Sequence, residues 1–277
     1  MRHKNAVVDT LRLHEETAIM GILNVTPDSF SDGGQFDRLN DAVQQAKQME
    51  SDGAKIIDVG GESTRPGHTP VTVQEEIDRV EPVIKALSDT INSPISIDTF
   101  KADTAQAAAR AGATMINDVW GAKYDPEIAA VAHEFDIPIV LMHNQTQPVY
   151  DDMVDDMKAS LVESINIVKQ YGVSDDQIIL DPGVGFGKTL HQNLLVMRRL
   201  HEFKALGYPV LLGTSRKSLI GKTLDLPVDE RLEGTIATVC QGVSQGVEIV
   251  RVHDVKAVYR ATKMMDAMLG KRWDVNG

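Results

Sequence analysis

The sequence repeats one pattern eight times, a short apolar run followed by a longer amphipathic segment. The apolar runs are rich in Ile and Val and are too short for buried helices, so the pattern predicts β-strands there and α-helices between them. The predicted strands lie at 18–24, 55–59, 94–98, 114–118, 138–143, 177–181, 209–213 and 248–254, and the helices at 39–52, 72–89, 101–111, 125–135, 151–171, 189–203, 229–246 and 254–269.

The eight repeats between residues 18 and 269 average about 31 residues, the length of one βα unit in an eight-fold βα (TIM) barrel. A doubly wound open sheet also alternates strands and helices and is the alternative, but eight units of even length favour the closed barrel. We therefore predict an α/β protein with a single barrel domain at residues 18–270. Residues 1–17 are expected to form an N-terminal extension at the barrel floor, with a short hairpin at 8–13, and residues 271–277 a tail.

Composition and charge exclude several classes of protein. The chain has 277 residues, of which 42% are hydrophobic and 25% charged, an ordinary globular composition. Its 40 acidic residues outnumber its 28 Lys and Arg, so we expect no nucleic-acid partner. No apolar run reaches the length of a membrane span, and the first residues lack the apolar stretch of a signal peptide. The single cysteine, Cys240, favours a reducing compartment, so we expect a cytoplasmic protein with no membrane partner.

Polar residues follow every predicted strand. In an eight-fold βα barrel the carboxyl ends of the strands carry the functional site. A single polar residue there is most simply a helix N-cap, but polar residues at all eight ends together indicate a site. Strand alternation places Asp118 on the face opposite Asn117, so we expect Asp118 to support the site from behind. The strand-end residues are Asn24, Glu62, Ser63, Thr64, Arg65, Asp98, Asn117, Asp118, His143, Asn144, Asp181, Ser215, Arg216, Lys217, Ser218, Arg251 and His253.

These residues divide into two chemical groups. One is cationic or anion-binding and indicates a phosphate or carboxylate site, and two of its members, Arg251 and His253, lie two apart on one strand and face the same way. The other suits the amidine-like edge of a nitrogen heterocycle. Structural ion pairs of Arg65 or Arg251, and helix caps at the Asp residues, are the alternatives. The first group is Arg65, Lys217, Ser218, Arg251 and His253, and the second is Asp98, Asn117, Asp181 and Lys217.

Three cofactor motifs are incomplete. Residues 182–189 (PGVGFGKT) follow a strand as a P-loop does, but Pro182 stands where a P-loop requires its first glycine. In the same segment Lys188 occupies the last glycine position of a dinucleotide-binding fingerprint. The His and Cys residues show no zinc-binding spacing. Turn-forming residues at 26–34 and 60–67 instead predict two mobile loops over the barrel mouth.

Eight segments resemble dihydropteroate synthases, enzymes of folate biosynthesis that sulfonamides target, and the Gram-positive bacterial members in particular. The resemblance extends from about residue 18 to 269, in the family's order, with one motif at each strand end. The segments are MGILNVTPDSFSDGG (20–34), DVGGESTRPG (58–67), SIDTF (96–100), INDVWG (116–121), LMHN (141–144), LDPGVGFGK (180–188), GTSRKSLIG (213–221) and RVHDV (251–255).

The resemblance implies a homodimeric, Mg²⁺-dependent transferase. It would join 4-aminobenzoate to 6-hydroxymethyl-7,8-dihydropterin diphosphate and release 7,8-dihydropteroate and diphosphate. By resemblance, the pterin binds at Asp98, Asn117, Met142, Asp181, Phe186 and Lys217; the diphosphate binds at Thr64, Arg251 and His253; 4-aminobenzoate binds at Phe30, Pro66, Lys217 and Ser218; Mg²⁺ binds at Asn24; and catalysis falls to Asp32, Arg65, Asp98 and Lys217.

Two other functions are weighed against this one. A methyltetrahydrofolate-dependent methyltransferase domain on the same barrel also binds a pterin with Asp and Asn residues, but it needs no diphosphate site. A barrel that serves only as a binding or scaffold protein is expected to lose its charged pocket residues first, and none is missing from the motifs. The motifs therefore favour the synthase.

Overall fold

The computed structural model describes residues 11–26, 35–62 and 70–271, and at 35–38 the backbone alone. Within these residues the eight predicted strands are present, and all of them run parallel. The strands are β1 (Ala18–Asn24), β2 (Ile56–Gly60), β3 (Ile95–Asp98), β4 (Met115–Asp118), β5 (Ile139–Met142), β6 (Ile178–Asp181), β7 (Leu211–Leu212) and β8 (Ile249–Val252).

The strand order shows that the sheet closes on itself. The first strand, β1, lies between β2 and β8, and the pairing continues from β2 to β6 on one side and from β8 to β7 on the other. The remaining gap is bridged where Leu180 of β6 pairs with Val210, and where the Leu180 N–H donates to the Pro209 carbonyl at 2.9 Å. The predicted TIM barrel is therefore confirmed, and the doubly wound open sheet is wrong.

Nine α-helices lie in the described part of the chain. Eight of them fall where the sequence pattern predicts a helix, and α7 is an additional short helix between β7 and α8. The helix predicted at 189–203 ends earlier, at Arg198, and a 3₁₀ helix follows at Leu200–Leu206. None of the described helices is long and apolar enough to cross a lipid bilayer. The helices are α1 (Gln35–Ser51), α2 (Val73–Ser88), α3 (Ala102–Ala111), α4 (Ile128–Glu134), α5 (Met153–Gln170), α6 (Leu190–Arg198), α7 (Ser218–Leu224), α8 (Leu232–Ser244) and α9 (Val255–Met268).

The core has two apolar layers because successive side chains of a strand point to opposite faces. Outward side chains pack against the helices, and inward ones form a separate buried cluster. Leu11 and Leu13, which are 5% and 2% exposed, join the inner cluster at the amino ends of the strands. The inner cluster is Leu11, Leu13, Ala18, Met20, Ile56, Met115, Val140, Ile179, Leu211 and Ile249.

The N-terminal extension differs from the expected hairpin. Residues 11–15 form a turn, in which the Glu15 N–H donates to the Arg12 carbonyl at 2.9 Å, and not a strand. Residues 8–10 of the expected hairpin lie outside the described residues. The two leucines still fill the barrel floor, because the turn presents both side chains to the inner cluster.

A buried hydrogen-bonded pair joins the start of β1 to α9. Asp266 accepts from both the backbone N–H and the hydroxyl of Thr17, each at 2.7 Å. We expect Asp266→Ala to lower the free energy of unfolding by about 2–4 kcal/mol, because it leaves two buried donors without an acceptor. Urea denaturation measures this change. As a control, Glu163→Ala removes an exposed ion pair with Lys123 and should cost less than about 1 kcal/mol; equal losses for both variants would contradict the prediction.

Candidate active site

A cavity of about 550 Å³ opens at the carboxyl ends of the strands. Every predicted site residue that the structure describes lines it, although these residues come from seven different strands or the loops that follow them. They are Asn24, Asp98, Asn117, Met142, Asp181, Phe186, Lys217, Ser218, Arg251 and His253. The other predicted site residues, Phe30, Asp32, Thr64, Arg65 and Pro66, lie outside the described residues.

Strand periodicity explains why these side chains meet. On several strands an apolar residue of the inner cluster is followed two positions later by a polar residue that points the same way, one layer nearer the carboxyl end. The inner cluster is therefore the floor of the cavity, and the polar layer is its wall. The pairs are Ile56 and Asp58, Met115 and Asn117, Ile179 and Asp181, and Ile249 and Arg251.

At the bottom of the cavity one guanidinium is shared by two carboxylates. Arg251 Nε donates to Asp58 Oδ2 at 2.6 Å, and its Nη2 donates to Asp98 Oδ2 at 2.5 Å. The Asn117 side-chain amide also donates to Asp58 Oδ2, at 3.1 Å. The remaining oxygen of each carboxylate, Oδ1, is buried without a hydrogen-bond partner among the described residues. Of these two residues only Asp98 lines the cavity, so its Oδ1 is an acceptor available to a ligand that carries N–H donors.

The ion pair changes the expected role of Arg251. Here its guanidinium is held by Asp58 and Asp98, which is the structural alternative considered from the sequence, and it is not directed solely at an anion site. Although burial opposes its charge, the two carboxylates raise the pKa of Arg251 above its ordinary value. Asp58 begins the motif at 58–67 but was not predicted as a site residue, because it precedes the strand end; its inward register, two residues after Ile56, was a signal that could have found it.

Burial also controls the ionisation of Asp98. Desolvation of the carboxylate, together with the charge of Asp58, outweighs the attraction of Arg251 and raises the pKa of Asp98 to about 7. The ion pair with Arg251 therefore does not compensate Asp98 for the loss of its hydration.

On the opposite wall, Lys217 lies near Asp181. The Lys217 ammonium donates to the Val184 carbonyl at 2.5 Å and lies 4.6 Å from the centre of the Phe186 ring, a cation–π distance. Burial lowers the pKa of Lys217 to about 8, although Asp181 opposes the shift. Burial raises the pKa of Asp181, whose Oδ1 accepts the Gly183 N–H at 2.7 Å. Met142, 3% exposed, adds an apolar wall.

The mouth of the cavity carries the remaining polar groups. His253 Nδ1 lies 3.0 Å from the Ser215 hydroxyl, which also accepts the His253 backbone N–H at 3.1 Å. Ser218, exposed, is the first residue of α7. Asp118 points away from the cavity, as expected, and accepts the N–H groups of Trp120 and Ala122 at 2.7 and 2.5 Å.

Asn24 is the described residue with which the sequence motifs associate a metal ion. Its side-chain oxygen lies at the cavity wall, and Gly60 separates it from Asp98. Within residues 11–26, 35–62 and 70–271, no group of three or more His, Cys, Asp or Glu side chains is arranged to hold a metal. Mg²⁺ commonly takes one or two protein ligands together with waters and substrate phosphates. The donor set therefore suits an ion that binds with a phosphate-bearing substrate, and not a preformed metal cage.

Comparisons with known proteins identify the family of the chain. The family of pterin binding enzymes matches residues 20–253. The dihydropteroate synthase of Bacillus subtilis is 58% identical over 261 residues, which are 94% of this chain and 92% of the relative. That of Clostridium beijerinckii is 54% identical over 256 residues, covering 92% and 95% of the two chains. The chain belongs to the dihydropteroate synthase family.

Solved structures of the family share the fold of this synthase. The Clostridium difficile enzyme, crystallised in the presence of pteroic acid, superposes with a TM-score of 0.90 at 54% identity over 92% of this chain and 97% of that chain. The Xanthomonas albilineans enzyme with 4-aminobenzoic acid gives 0.88 at 40% identity over 92% and 94%. The Yersinia pestis enzyme with a sulfonamide drug complex gives 0.87 at 40% identity over 93% and 96%. The expected family, fold and transferase activity are confirmed, and these relatives are synthases, not the methyltransferases considered as the alternative.

The raised pKa of Asp98 predicts how stability depends on pH. Between its ordinary value of 3.8 and about 7, folded Asp98 keeps a proton that the unfolded chain has lost. The stability of the wild type relative to Asp98→Asn, which cannot titrate, should therefore fall as pH rises through this window, by up to about 1.4 kcal/mol per pH unit. Urea denaturation of both proteins between pH 4.5 and 7.5 measures the difference. A difference that stays constant over this pH range would mean that Arg251 keeps Asp98 ionised.

Proposed function

We propose that this synthase joins 4-aminobenzoate to 6-hydroxymethyl-7,8-dihydropterin diphosphate and releases 7,8-dihydropteroate and diphosphate. The observation that carries the proposal is the buried, unpartnered Oδ1 of Asp98, which lines the cavity together with Asp181, Lys217 and Arg251. A pterin presents a guanidine-like edge of N–H donors to such acceptors, and its diphosphate needs the cations. The test is diphosphate release that depends on 4-aminobenzoate.

The pterin ring is assigned to the inner end of the cavity. Asp98 Oδ1 and the Asp181 carboxylate accept its N–H groups, and Lys217 donates to a ring nitrogen or carbonyl. Asn117, 4% exposed and hydrogen-bonded to Asp58, completes the polar wall. Met142 and Phe186 supply the apolar walls for the ring faces. This arrangement supplies a donor to Asp98 Oδ1, which has no hydrogen-bond partner among the described residues.

The diphosphate is assigned to Arg251 and His253, and the 4-aminobenzoate carboxylate to Ser218 with Lys217. For Arg251 to contact the diphosphate, its hydrogen bond to Asp98 must weaken. The N–H groups of an incoming pterin can replace Arg251 as hydrogen-bond donors to the Asp98 carboxylate, which leaves the guanidinium available to the diphosphate. Pterin binding and anion binding are thus coupled through one side chain.

Catalysis is proposed to be electrostatic and positional. The carbon–oxygen bond breaks, diphosphate leaves with the electron pair, and the 4-aminobenzoate nitrogen forms the new bond to the pterin methylene carbon and loses a proton to solvent. Asp98 stabilises the cationic pterin, while Lys217 and Arg251 stabilise the leaving anion. Asp32 and Arg65 are proposed as further catalytic residues on the family resemblance alone.

Mg²⁺ is the proposed cofactor, and Asn24 is the residue that would hold it. When bound, the ion would neutralise diphosphate charge as the leaving group departs. Asn24 itself would orient that end of the substrate at the wall beside Gly60. Chelation of divalent ions should abolish turnover, and added Mg²⁺ should restore it.

A homodimer and a cytoplasmic location are proposed as well. The dimer rests on the resemblance to the family, and sedimentation of the purified protein tests it. The location rests on the single cysteine, Cys240, which favours a reducing compartment.

Removal of the Asp181 carboxylate should weaken pterin binding. We expect Asp181→Ala to lower the affinity for 6-hydroxymethylpterin by at least about tenfold, because a buried hydrogen bond to a charged group contributes about 1.5–3 kcal/mol. Asp181→Asn, which keeps an acceptor for the Gly183 N–H, should also lose affinity. Asp103→Ala, at the surface of α3, is the matched control. Calorimetry that gives unchanged affinity for both Asp181 variants would remove this residue from the pocket.

Cys240 should not be a nucleophile. It lies within α8, it is absent from the cavity wall, and burial raises the pKa of its thiol. We expect Cys240→Ala to retain near wild-type turnover in the diphosphate-release assay. A loss of more than about tenfold, equivalent to about 1.4 kcal/mol of barrier, in a folded variant would point to a covalent route.

A further inference from the structure

The loop between β6 and α6 is shaped by three glycines. Gly183, Gly185 and Gly187 have φ angles of +66°, +96° and +53°, in the left-handed region. A Cβ atom on Gly183 would lie 1.9 Å from the His143 carbonyl oxygen, and one on Gly185 would lie 2.8 Å from Lys217 Cδ. The backbone of the loop therefore packs directly against His143 and Lys217, at distances that leave no room for a side chain. Because glycine has the most backbone freedom to lose on folding, this shape needs other groups to hold it.

Lys188, which follows the loop, turns back and holds it. Its ammonium donates to the Gly183 and Phe186 carbonyls, each at 2.9 Å, and lies 2.9 Å from His143 Nδ1. An ammonium has three N–H donors, and here each finds one acceptor. His143 must then be neutral, with its proton on Nε2. Burial, followed by the charge of Lys188, lowers the pKa of His143 to about 3, which is consistent with that role.

A second lysine contacts the same loop from the cavity side. Lys217 donates to the Val184 carbonyl at 2.5 Å and lies 4.6 Å from the Phe186 ring centre. The carbonyls of Gly183 and Phe186 thus point toward Lys188, and the carbonyl of Val184 points toward Lys217. The position of the Val184 oxygen, and of the Phe186 ring, depends on the two carbonyls that Lys188 fixes.

We propose that Lys188 is a positioning residue for the pterin site, which acts by holding the 183–187 loop so that Val184 and Phe186 place the Lys217 ammonium. The proposal rests on the proposed roles of Lys217 and Phe186 in binding the pterin. It also accounts for the Gly-Lys-Thr sequence that looks like part of a P-loop. The lysine binds carbonyls of its own loop, and no phosphate is needed to explain it.

Hydrogen exchange of the ligand-free protein tests the first step without any substrate. Lys188→Met preserves the length of the side chain but removes the three donors. We expect the backbone N–H groups of Gly183 and Gly185, which donate to Asp181 and Asn193 at 2.7 and 2.6 Å, to exchange at least about tenfold faster. Amides of α5 should keep their rates. Unchanged exchange in the loop would overturn the proposal.

A double-mutant cycle tests the second step. Lys188→Met should weaken 6-hydroxymethylpterin binding by at least about tenfold in the wild-type background, but by less than about threefold when Lys217 is already Met. Lys188→Arg, which keeps N–H donors, should recover part of the affinity. Lys169→Met is the matched control, because Lys169 is an exposed lysine paired with Asp175 on the outer surface. If Lys188→Met does not fold, Lys188→Gln, whose shorter side chain carries two N–H donors instead of three, replaces it in both experiments.

The outcomes separate this proposal from the proposed function. If the fold-losses of pterin affinity of the two single variants multiply in the double variant, the proposal is overturned, because Lys188 then acts independently of Lys217. Native pterin affinity in a variant with a loosened loop would overturn it as well. A wild-type protein that binds no pterin would contradict the proposed function, and the exchange rates would then still decide whether Lys188 holds the loop.

Discussion

The active site depends on one buried guanidinium held between two carboxylates. Arg251 on β8 reaches Asp58 on β2 and Asp98 on β3, so it ties together strands on both sides of β1. A buried charge without a partner is strongly destabilising, whereas a buried pair with full hydrogen bonding is tolerated. This arrangement is not full, because each carboxylate keeps one unpartnered oxygen. The folded protein therefore contains acceptors that only a ligand or water can satisfy.

The barrel architecture makes this arrangement possible. The closed ring of parallel strands brings inward side chains of different strands together in layers, so residues far apart in the sequence become neighbours. Asp58 and Arg251 are 193 residues apart in the sequence, yet β1 alone lies between their strands. The same register places apolar residues such as Ile56 and Ile249 one layer below. The apolar floor keeps the polar layer poorly hydrated, which is the cause of the pKa shifts of Asp98 and Lys217.

Much of this could be predicted from the sequence because two periodicities determine it. The alternation of apolar runs and amphipathic segments predicted the eight strands and eight of the helices, and the period of two along each strand predicted that Asn117 faces the cavity and Asp118 does not. The extra helix α7, which begins at Ser218, was not among the predicted helices. A helix of so few residues shows no periodic pattern, so its length could not be predicted from the sequence.

What the sequence could not predict is which polar groups pair. Arg251 was expected at an anion site because cations attract anions, but the sequence does not show that two carboxylates lie closer to it than any ligand. The partners of Lys188 were hidden for a similar reason, since two of them are backbone carbonyls, whose directions depend on the left-handed φ angles of the glycines. Which polar groups pair depends on their distance in space. The sequence pattern predicts that distance only where the strands have a regular register.

The balance of charge in the cavity explains the shape of the ligand that it accepts. The walls carry three carboxylates and four cations, so the site is close to neutral despite the net charge of −12 on the whole chain; these residues are Glu62, Asp98, Asp181, Arg216, Lys217, Arg231 and Arg251. A ligand with only donors or only negative charge would leave one half of this set unsatisfied. A molecule with N–H donors at one end and an anion at the other satisfies both, because its donors engage Asp98 while its anion takes the guanidinium that Asp98 releases. Complementarity of this kind selects for both ends of the substrate together, and it does so through a side chain that is already part of the folded core.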